Sequence, residues 1–377
     1  MSQWIKTKLG EIVILNYGKA LKAQDRNAGS IPVYSSGGLT GWHNKALINE
    51  QGIIIGRKGT VGKAYLTYGP FWCIDTAYYI LPNPSKYDFV FLFYLLKTLG
   101  LEELNEDSAV PGLNRDTAYS QEILLPSLPE QKAIASVLSS LDDKIDLLHR
   151  QNKTLESMAE TLFRQWFDVD SNDEWQEKNV LDIFTLVGGG TPKTSVAEYW
   201  TDEIPWISGG DISAAHQGYL YSTEKSISLA GLQNSSAKLL PKNSTVISAR
   251  GTVGKYALLA RDMAFSQSNY GIVSKIGSYP FFIYLLVGFI VDDLLTAAYG
   301  SVFDTITTRT FESVNLKFPS LNSIEKFNEE ISPIFSKKET NTQQIKTLEN
   351  LRDTLLPKLM NGEVRVQYAE EAIASVA

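Results

Sequence analysis

The sequence predicts an α+β protein in which two similar mixed α/β domains are separated by two long helices, paired as an antiparallel coiled coil. Three observations lead to this fold class. The pentapeptide Gly-Thr-Val-Gly-Lys occurs at residues 59–63 and again at residues 251–255. Each copy is followed by a heptad pattern of apolar residues, which indicates a coiled-coil helix. The repeat is too long for a solenoid unit, so it indicates a duplicated domain with its connector and a pseudo-twofold arrangement.

The composition is typical of a globular protein with more than one domain. The chain has 377 residues, of which 44% are hydrophobic and 20% charged, and this length is too great for one ordinary core. Cys73 is the only cysteine, so no intrachain disulfide can form and a reducing cytoplasm is expected. The N-terminus has no signal-peptide pattern. The apolar run 281–291 is too short for a membrane span and predicts a buried helix.

The formal net charge of −7 argues against a simple electrostatic nucleic-acid binder, which is usually basic. Acidic residues exceed basic ones in the connectors and in the second half, whereas residues 1–128 are close to neutral. If the protein binds DNA, much of the phosphate contact is therefore expected to come from partner subunits.

The first predicted domain covers residues 1–128. Runs of β-forming residues at 10–15, 53–55 and 78–81 are separated by turns that contain glycine and proline. A helical stretch at 89–101 follows Pro84. The domain is thus expected to be mixed α/β.

The second predicted domain covers residues 171–320 and repeats this order, with a strand at 246–248 and a helix at 281–295. The Ile-Pro pairs at 31–32 and 204–205 also match. Between that pair and the pentapeptide the second copy has 19 extra residues. Loops on a fixed scaffold carry specificity, so the domains are expected to differ most there.

The connectors at residues 129–170 and 321–362 predict the two long helices, and residues 363–377 form a tail. Residues 127–130 have a capping-box pattern with a proline in the first turn, and Asn361-Gly362 is a helix stop signal. Seam positions alternate by four and three. In the first connector they are Ile134, Leu138, Leu141, Ile145, Leu148, Asn152, Leu155, Ala159, Leu162 and Trp166. In the second they are Ile331, Ile334, Lys338, Asn341, Ile345, Leu348, Arg352, Leu355 and Leu359.

One antiparallel register places the polar seam residues Asn152 and Asn341 opposite each other. Each buried amide then has a partner, which is how polar seam residues fix the register of a coiled coil. The same register pairs Trp166 with Phe327. Pro333 is expected to kink or shorten the start of the second helix.

The two pentapeptide loops are the candidate ligand-binding segments. Arg57, Lys58, Gly59, Thr60 and Lys63 of the first copy, and Arg250, Gly251, Thr252 and Lys255 of the second, combine cations with a glycine-rich backbone that a phosphate can approach closely. A nucleotide P-loop is excluded, because Ala64 and Tyr256 stand where Ser or Thr would bind magnesium. The alternative is a glycine turn with solvated lysines.

Other polar residues carry weaker signals. The segments at 35–38 and 208–211 are either contact loops or ordinary turns, and His43 and His216 are expected at the surface, as is His149. Residues 83–86 partly match the tetrapeptide of adenine methyltransferases, but no cofactor loop accompanies them. No catalytic constellation and no Cys/His metal cluster is found.

Taken together, these features resemble the specificity subunits of type I restriction-modification enzymes. The similar stretches are the two pentapeptide loops, Pro111-Gly-Leu-Asn-Arg115, residues 125–131 and 162–167 at the ends of the first connector, and residues 354–362. Departures occur at residues 301–304 and 322–325 in the second half. The likeness covers essentially the whole chain.

The resemblance implies a non-catalytic protein with two target-recognition domains that each read half of a split double-stranded DNA site. It implies that the coiled coil sets the gap and holds two methyltransferase subunits, with motor-nuclease subunits completing the complex. S-adenosylmethionine, ATP and Mg²⁺ would belong to those partners, and this chain would hold no cofactor, catalytic residue or metal. A prokaryotic cytoplasmic location without membrane attachment follows. The alternative is a duplicated-domain scaffold that binds protein or glycan, which the acidic net charge favours.

Overall fold

The computed structural model describes residues 4–104, 112–167, 175–299 and 305–374. The chain divides into two compact units, Met1–Leu147 with Gln344–Ala377, and Leu148–Gln343. Each unit contains one globular domain and a part of both long helices.

The first domain is built from short strands and helices around a small core. Its strands are β1 (Ile5–Lys8), β2 (Asn16–Tyr17), β3 (Ile31–Ser35), β4 (Gly38–His43), β5 (Gly52–Gly56), β6 (Ala64–Thr67), β7 (Trp72–Cys73), β8 (Ala77–Ile80) and β9 (Glu122–Leu125). Its helices are α1 (Leu9–Ile12), α2 (Phe89–Thr98) and α3 (Arg115–Tyr119), and the long helix α4 (Leu128–Trp166) follows.

The second domain has the same kinds of element. Its strands are β10 (Gln176–Asn179), β11 (Phe184–Gly188), β12 (Ile204–Ile207), β13 (Tyr219–Leu220), β14 (Lys225–Ile227), β15 (Leu239–Leu240), β16 (Thr245–Ser248), β17 (Tyr256–Leu259), β18 (Met263–Phe265), β19 (Asn269–Ser274) and β20 (Asn315–Phe318). Its helices are α5 (Val180–Ile183), α6 (Gly209–Ala214), α7 (Leu229–Gln233), α8 (Pro280–Tyr299) and α9 (Thr308–Glu312). The long helix α10 (Leu321–Met360) and α11 (Val366–Ala374) end the chain.

The sheets of the two domains correspond strand by strand. The order β2-β8-β5-β6 in the first domain recurs as β11-β19-β16-β17, and β4-β3-β7 recurs as β14-β12-β18. The pair β1-β9 recurs as β10-β20. The second domain adds β13 and β15 at sheet edges, and both strands lie in the segment where its sequence is 19 residues longer. The predicted duplication of a mixed α/β domain is confirmed.

The sequence-based element assignments fail at a few places. Residues 10–15 were expected to form a strand, but α1 occupies Leu9–Ile12 because Leu9 and Ile12, three positions apart, are both buried on one helical face. The segment assigned as a tail contains α11, whose Ala369 is fully buried.

Helix α8 is longer than its apolar run suggested. Its 20 residues are long and apolar enough to cross a membrane by length and composition, so the argument from length was wrong. Half of its apolar window is nevertheless buried within the second unit. Phe282, Ile283, Val287, Ile290 and Leu294 have at most 2% of their surface exposed, which is the arrangement of a core helix.

In the second unit, α4 and α10 run antiparallel. Trp166 Nε1 donates to Glu330 Oε2 at 3.1 Å, while the buried ammonium of Lys338 pairs with Glu156. Residue numbers along α10 therefore fall as those along α4 rise. Burial lowers the pKa of Lys338, and the adjacent Glu156 carboxylate partly offsets this effect.

The polar seam residues of the second unit are hydrogen-bonded to each other. Asn341, which is fully buried, donates from Nδ2 to Asn152 Oδ1 at 3.0 Å, and Asn152 Nδ2 donates to Thr342 Oγ1 at 3.1 Å. The two amides lie opposite each other, as the seam pattern indicated. A register shifted by one heptad in either direction would place both of them against apolar side chains.

In the first unit, α2, α4 and α10 meet in a polar network. Tyr94 on α2 donates its hydroxyl to Asp142 Oδ2 at 2.6 Å, and Arg352 on α10 donates to Asp142 Oδ1 at 2.8 Å. Burial and the hydrogen bond to the Asp142 carboxylate raise the pKa of Tyr94. Arg352 occupies an apolar seam position, and Asp142 supplies the opposite charge that this position requires.

Pro333 does not shorten α10, which runs through it from Leu321 to Met360. A proline in a helix interior costs about 3 kcal/mol. Phe327, Ile331 and Phe335 on the same part of the helix are at least 97% buried, and each contributes about 1.5–3 kcal/mol. Burial of this apolar face outweighs the cost of the proline.

Replacing Asn341 with Leu should leave the Asn152 amide without its partner inside the helix pair. We expect the free energy of unfolding to fall by about 1–3 kcal/mol, measured by urea denaturation. The double variant N152L/N341L should lose less, because no amide is then left unpaired. A single variant as stable as the wild type would contradict this role of the amide pair.

Replacing Glu156 with Gln should leave the buried Lys338 ammonium without its ion-pair partner, with only the weaker influence of Glu160 remaining. Thermal stability at pH 7 should fall, because the folded-state pKa of Lys338 drops further below that of the unfolded chain. Stability should then recover as pH rises towards 10, since Lys338 loses its proton in the folded state first. The control K338M removes the buried charge together with its hydrogen bond to Gln217 O, so it should lose less stability than E156Q at pH 7. Equal loss in both variants at every pH would contradict the ion-pair argument.

Candidate nucleic-acid interface

Both pentapeptide loops are hairpin turns. The first joins the antiparallel strands β5 and β6, and the second joins β16 and β17. Gly59, Gly62, Gly251 and Gly254 have φ values of +83°, +76°, +80° and +80°, in the left-handed region that favours glycine. No helix follows either loop, so neither is a P-loop, in which a helix N-terminus faces the phosphates.

The two loops are held by the same backbone hydrogen bonds. The amide of Gly62 donates to Gly56 O, and the amide of Gly254 donates to Ser248 O, each at 2.9 Å. In the first domain Arg57 N donates to Thr76 O at 3.0 Å. At the corresponding place in the second domain, Ala249 N donates to Ser268 O at 3.0 Å.

These anchors show which loop residues are equivalent in the two domains. The structural counterpart of Arg57 is Ala249, and that of Lys58 is Arg250, as the positions of the two pentapeptides also indicate. Lys58 and Arg250 are therefore the equivalent cations of the two domains.

The loop cations differ in what they contact. The side chains of Lys58, Lys63, Arg250 and Lys255 are exposed, and within the described parts of the chain they form no hydrogen bond or ion pair. Thr60 and the loop glycines Gly59 and Gly251 are exposed as well. These groups can bind phosphate oxygens without first breaking an internal contact.

Arg57 is instead held within the first domain. Its Nη2 donates to Asp75 O at 2.9 Å, and its guanidinium lies over the rings of Tyr17 and Tyr78, 5.2 and 5.8 Å from their centroids. Burial, with the neighbouring Tyr17, raises the pKa of Tyr78 to about 12, so this phenol stays protonated. Arg57 is thus less available to a ligand than its neighbour Lys58.

Sequence reasoning did not include Arg115 among the candidate contacts. Arg115 is exposed and begins α3, three residues after Gly112, which forms an antiparallel bridge with Lys58. Its place in the stretch Gly-Leu-Asn-Arg, which carried part of the family resemblance, was the available signal. Pro111 of that stretch and residues 301–304 lie outside the described residues.

The serine-glycine segments lie beside these loops but differ between the domains. In the first domain Ser36 and Gly37 form the turn between β3 and β4. In the second domain Ser208 caps α6, whereas Thr252 Oγ1 donates to Gly209 O at 3.2 Å. Thr252 thus fastens the second loop to this segment.

His43 and His216 each lie 12 residues after the isoleucine of an Ile-Pro pair, but their surroundings differ. His43 is 95% buried and accepts a hydrogen bond from Asn27 N, so the expected surface position was wrong. His216 is half-buried beside Lys255, and its pKa is lowered by burial and then by that charge. His149 is exposed, as expected.

Among the described residues, no group of three or more His, Cys, Asp or Glu side chains is arranged to hold a metal ion. Burial raises the pKa of Cys73 to about 12, which leaves its thiol unreactive. Residues 83–86 form a turn in which Lys86 Nζ donates to Glu11 O. The Lys86 ammonium is therefore held by a contact within the first domain.

Comparison with known proteins identifies relatives along most of the chain. Residues 1–157 and 172–351 match the family model described as the type I restriction modification DNA specificity domain. The chain is similar to the type I restriction enzyme MjaIX specificity subunit of Methanocaldococcus jannaschii, with 28% identity over 302 residues that cover 74% of this chain and 69% of the relative. It is similar to the HindI specificity subunit of Haemophilus influenzae, with 23% identity over 378 residues and coverage of 78% and 81%.

A solved structure shows the same fold. The S subunit of a type I restriction-modification system from M. genitalium matches with a TM-score of 0.66 and 16% identity, covering 95% of this chain and 96% of that one. The family model matches in two segments that correspond to the two duplicated halves. The chain therefore belongs to the family of type I restriction modification DNA specificity domain proteins.

Proposed function

We propose that the chain is the non-catalytic DNA-specificity subunit of a type I restriction-modification complex. Each domain reads one half of a split double-stranded site, and the paired helices hold two methyltransferase subunits and motor-nuclease subunits. One observation carries this proposal: both domains present the same hairpin loop, on the same backbone anchors, with an exposed cation at each equivalent position. Family membership and the names of the relatives point the same way.

The loops support DNA contact through phosphate and through close backbone approach. Lys58 and Lys63 in the first domain, and Arg250 and Lys255 in the second, supply positive charge on exposed turns. Phosphate contacts fix the register of a protein on the duplex, while neighbouring side chains read base edges in the groove. The net charge of −7 leaves the remaining phosphate contact to partner subunits.

The catalytic groups of the complex belong to the partners in this proposal. Methyl transfer would use S-adenosylmethionine, and translocation and cleavage would use ATP and Mg²⁺, all bound outside this chain. The glycine loops support this division, because each is a β-hairpin and lacks the strand–loop–helix geometry of a nucleotide site. The complex would act on DNA in the prokaryotic cytoplasm.

Replacing Lys58 or Arg250 with Ala should weaken DNA binding by the assembled complex. The slope of log K against log salt concentration is negative, and each lost phosphate contact should make it less negative by about 0.9. The matched control R57A should change the salt slope less, because Arg57 is held by Asp75 and two tyrosines. Unchanged affinity and slope in K58A and R250A, measured by fluorescence anisotropy at several salt concentrations, would count against the phosphate-contact role.

The helix pair should set the distance between the two half-sites. Methylome sequencing of the host with and without this gene should first show a gene-dependent split motif. Inserting one heptad after Leu148 and one after Asn341 keeps the seam in phase and adds about 10 Å, or roughly three base pairs. The same two half-sites should then appear with a wider gap. A functional complex with an unchanged gap would show that another element sets the spacing.

A further inference from the structure

A cluster of cationic and aromatic side chains lies on the first domain. It contains Tyr119, Arg115, Tyr17, Arg57 and Tyr78, here called the Arg115 stack. The Arg115 guanidinium lies 5.9 Å from the Tyr119 centroid and 5.4 Å from that of Tyr17. The Tyr17 and Tyr78 rings contact each other edge to face with centroids 5.1 Å apart, and the Arg57 guanidinium packs against both rings. Arg115 is the exposed cation of the cluster.

Separate elements hold the stack in place. Asn114 caps α3 by accepting from Asp116 N at 2.8 Å, which fixes the start of the helix at Arg115. Tyr119 accepts a hydrogen bond from Leu15 N at 2.9 Å, and Tyr78 donates to Leu113 O at 3.2 Å. The Tyr119 and Tyr78 rings are therefore held by backbone hydrogen bonds, and Tyr17 packs against Tyr78. The guanidinium of Arg115 lies against Tyr119 and Tyr17.

The Arg115 stack lies on the same edge as the first loop. Lys58 bridges to Gly112, and Leu113 N donates to Arg57 O at 2.8 Å. The exposed loop cation and the exposed Arg115 thus flank one short backbone bridge. A duplex bound at the loop would place Arg115 within its footprint.

Among its described residues, the second domain shows no such stack. Tyr17 pairs with Tyr78 across β2 and β8, and at the equivalent place Gly188 pairs with Tyr270 across β11 and β19. Ala249 replaces Arg57. Thr308, the first residue of α9, replaces Arg115, the first residue of α3. The stacked members Arg57, Tyr17 and Arg115 are therefore missing together.

We propose that Arg115 reads a guanine in the half-site of the first domain, with Tyr17 and Arg57 as positioning residues, and that the second domain reads its half-site without this contact. The inference rests on the proposed function. An arginine fork donates to O6 and N7 of guanine in the major groove, the commonest base-specific contact. Stacking on Tyr17 holds the planar fork in place, which favours directional recognition. The exposed side chains of Lys58 and Lys63 are suited to contacts with phosphate oxygens.

The test uses the complete methyltransferase complex in its host, with methylome sequencing. R115A should relax the requirement at one guanine of one half-site, cutting the preference for guanine there by about 5- to 100-fold. The other half-site should stay unchanged. R115K should relax the same position, because an ammonium cannot form the fork.

Further variants separate positioning from folding. Y17F keeps the aromatic ring and should keep the preference for guanine. Y17L should relax the same base position as R115A, while the complex still assembles. R57A should lower the preference for guanine, and R57K should restore part of it. The matched control is R309A, an exposed arginine on α9 that stacks on no ring among the described residues. It should relax no base position.

The outcomes distinguish the inference from the proposed function. A wild-type host without a gene-dependent split motif would remove the proposed function and this inference with it. A wild-type motif that R115A leaves intact at every position, with only uniformly weaker methylation, would mean that Arg115 binds phosphate and would overturn the inference alone. Relaxation of a base position in R309A, like that in R115A, would also overturn the inference about Arg115.

Discussion

The pairing of α4 with α10 is the constraint on which the rest of the protein depends. Each domain is joined to this pair by buried or half-buried polar groups. In the first unit Tyr94 reaches Asp142, which also holds Arg352. In the second unit Lys338 donates to Gln217 O at 3.0 Å. A slip of the helices would break these contacts, so within each unit the register of the seam fixes the domain to its own part of the helix pair.

The amide pair that supports this register is not itself duplicated. With the 193-residue shift between the connectors, the counterpart of Asn152 is Ile345 and that of Asn341 is Leu148. If α4 met a second α4 in the equivalent register, each asparagine would face a leucine and lose its partner. The polar pair therefore favours α4 against α10 over either helix against its own copy, as single seam asparagines do in other coiled coils.

Differences between the two domains occur at sheet edges and in the segments beside the pentapeptide loops. The sheet cores correspond, whereas β13, β15 and the serine-glycine segments differ. Arg57 with its tyrosine neighbours is replaced by Ala249, although the amide and the carbonyl of both residues make corresponding backbone hydrogen bonds. The duplicated scaffold has thus kept these hydrogen bonds and changed side chains at its edge, which is how one fold can carry sites of different specificity.

The sequence alone determined the duplication, the helix pair and the loops, because heptad spacing and repeated glycines are local patterns that survive without knowledge of the fold. It also pointed to Asn152 opposite Asn341. Only the tertiary structure decided that α10 passes through Pro333, that His43 is buried and that Arg57 is held against Tyr17 and Tyr78. Each depends on packing between segments distant in the chain: the core around Phe327, the contact of His43 with Trp72, and the contacts of Arg57 with two tyrosine rings. The contacts that hold Arg57 and Arg115 join residues up to about a hundred positions apart, and no local pattern records them.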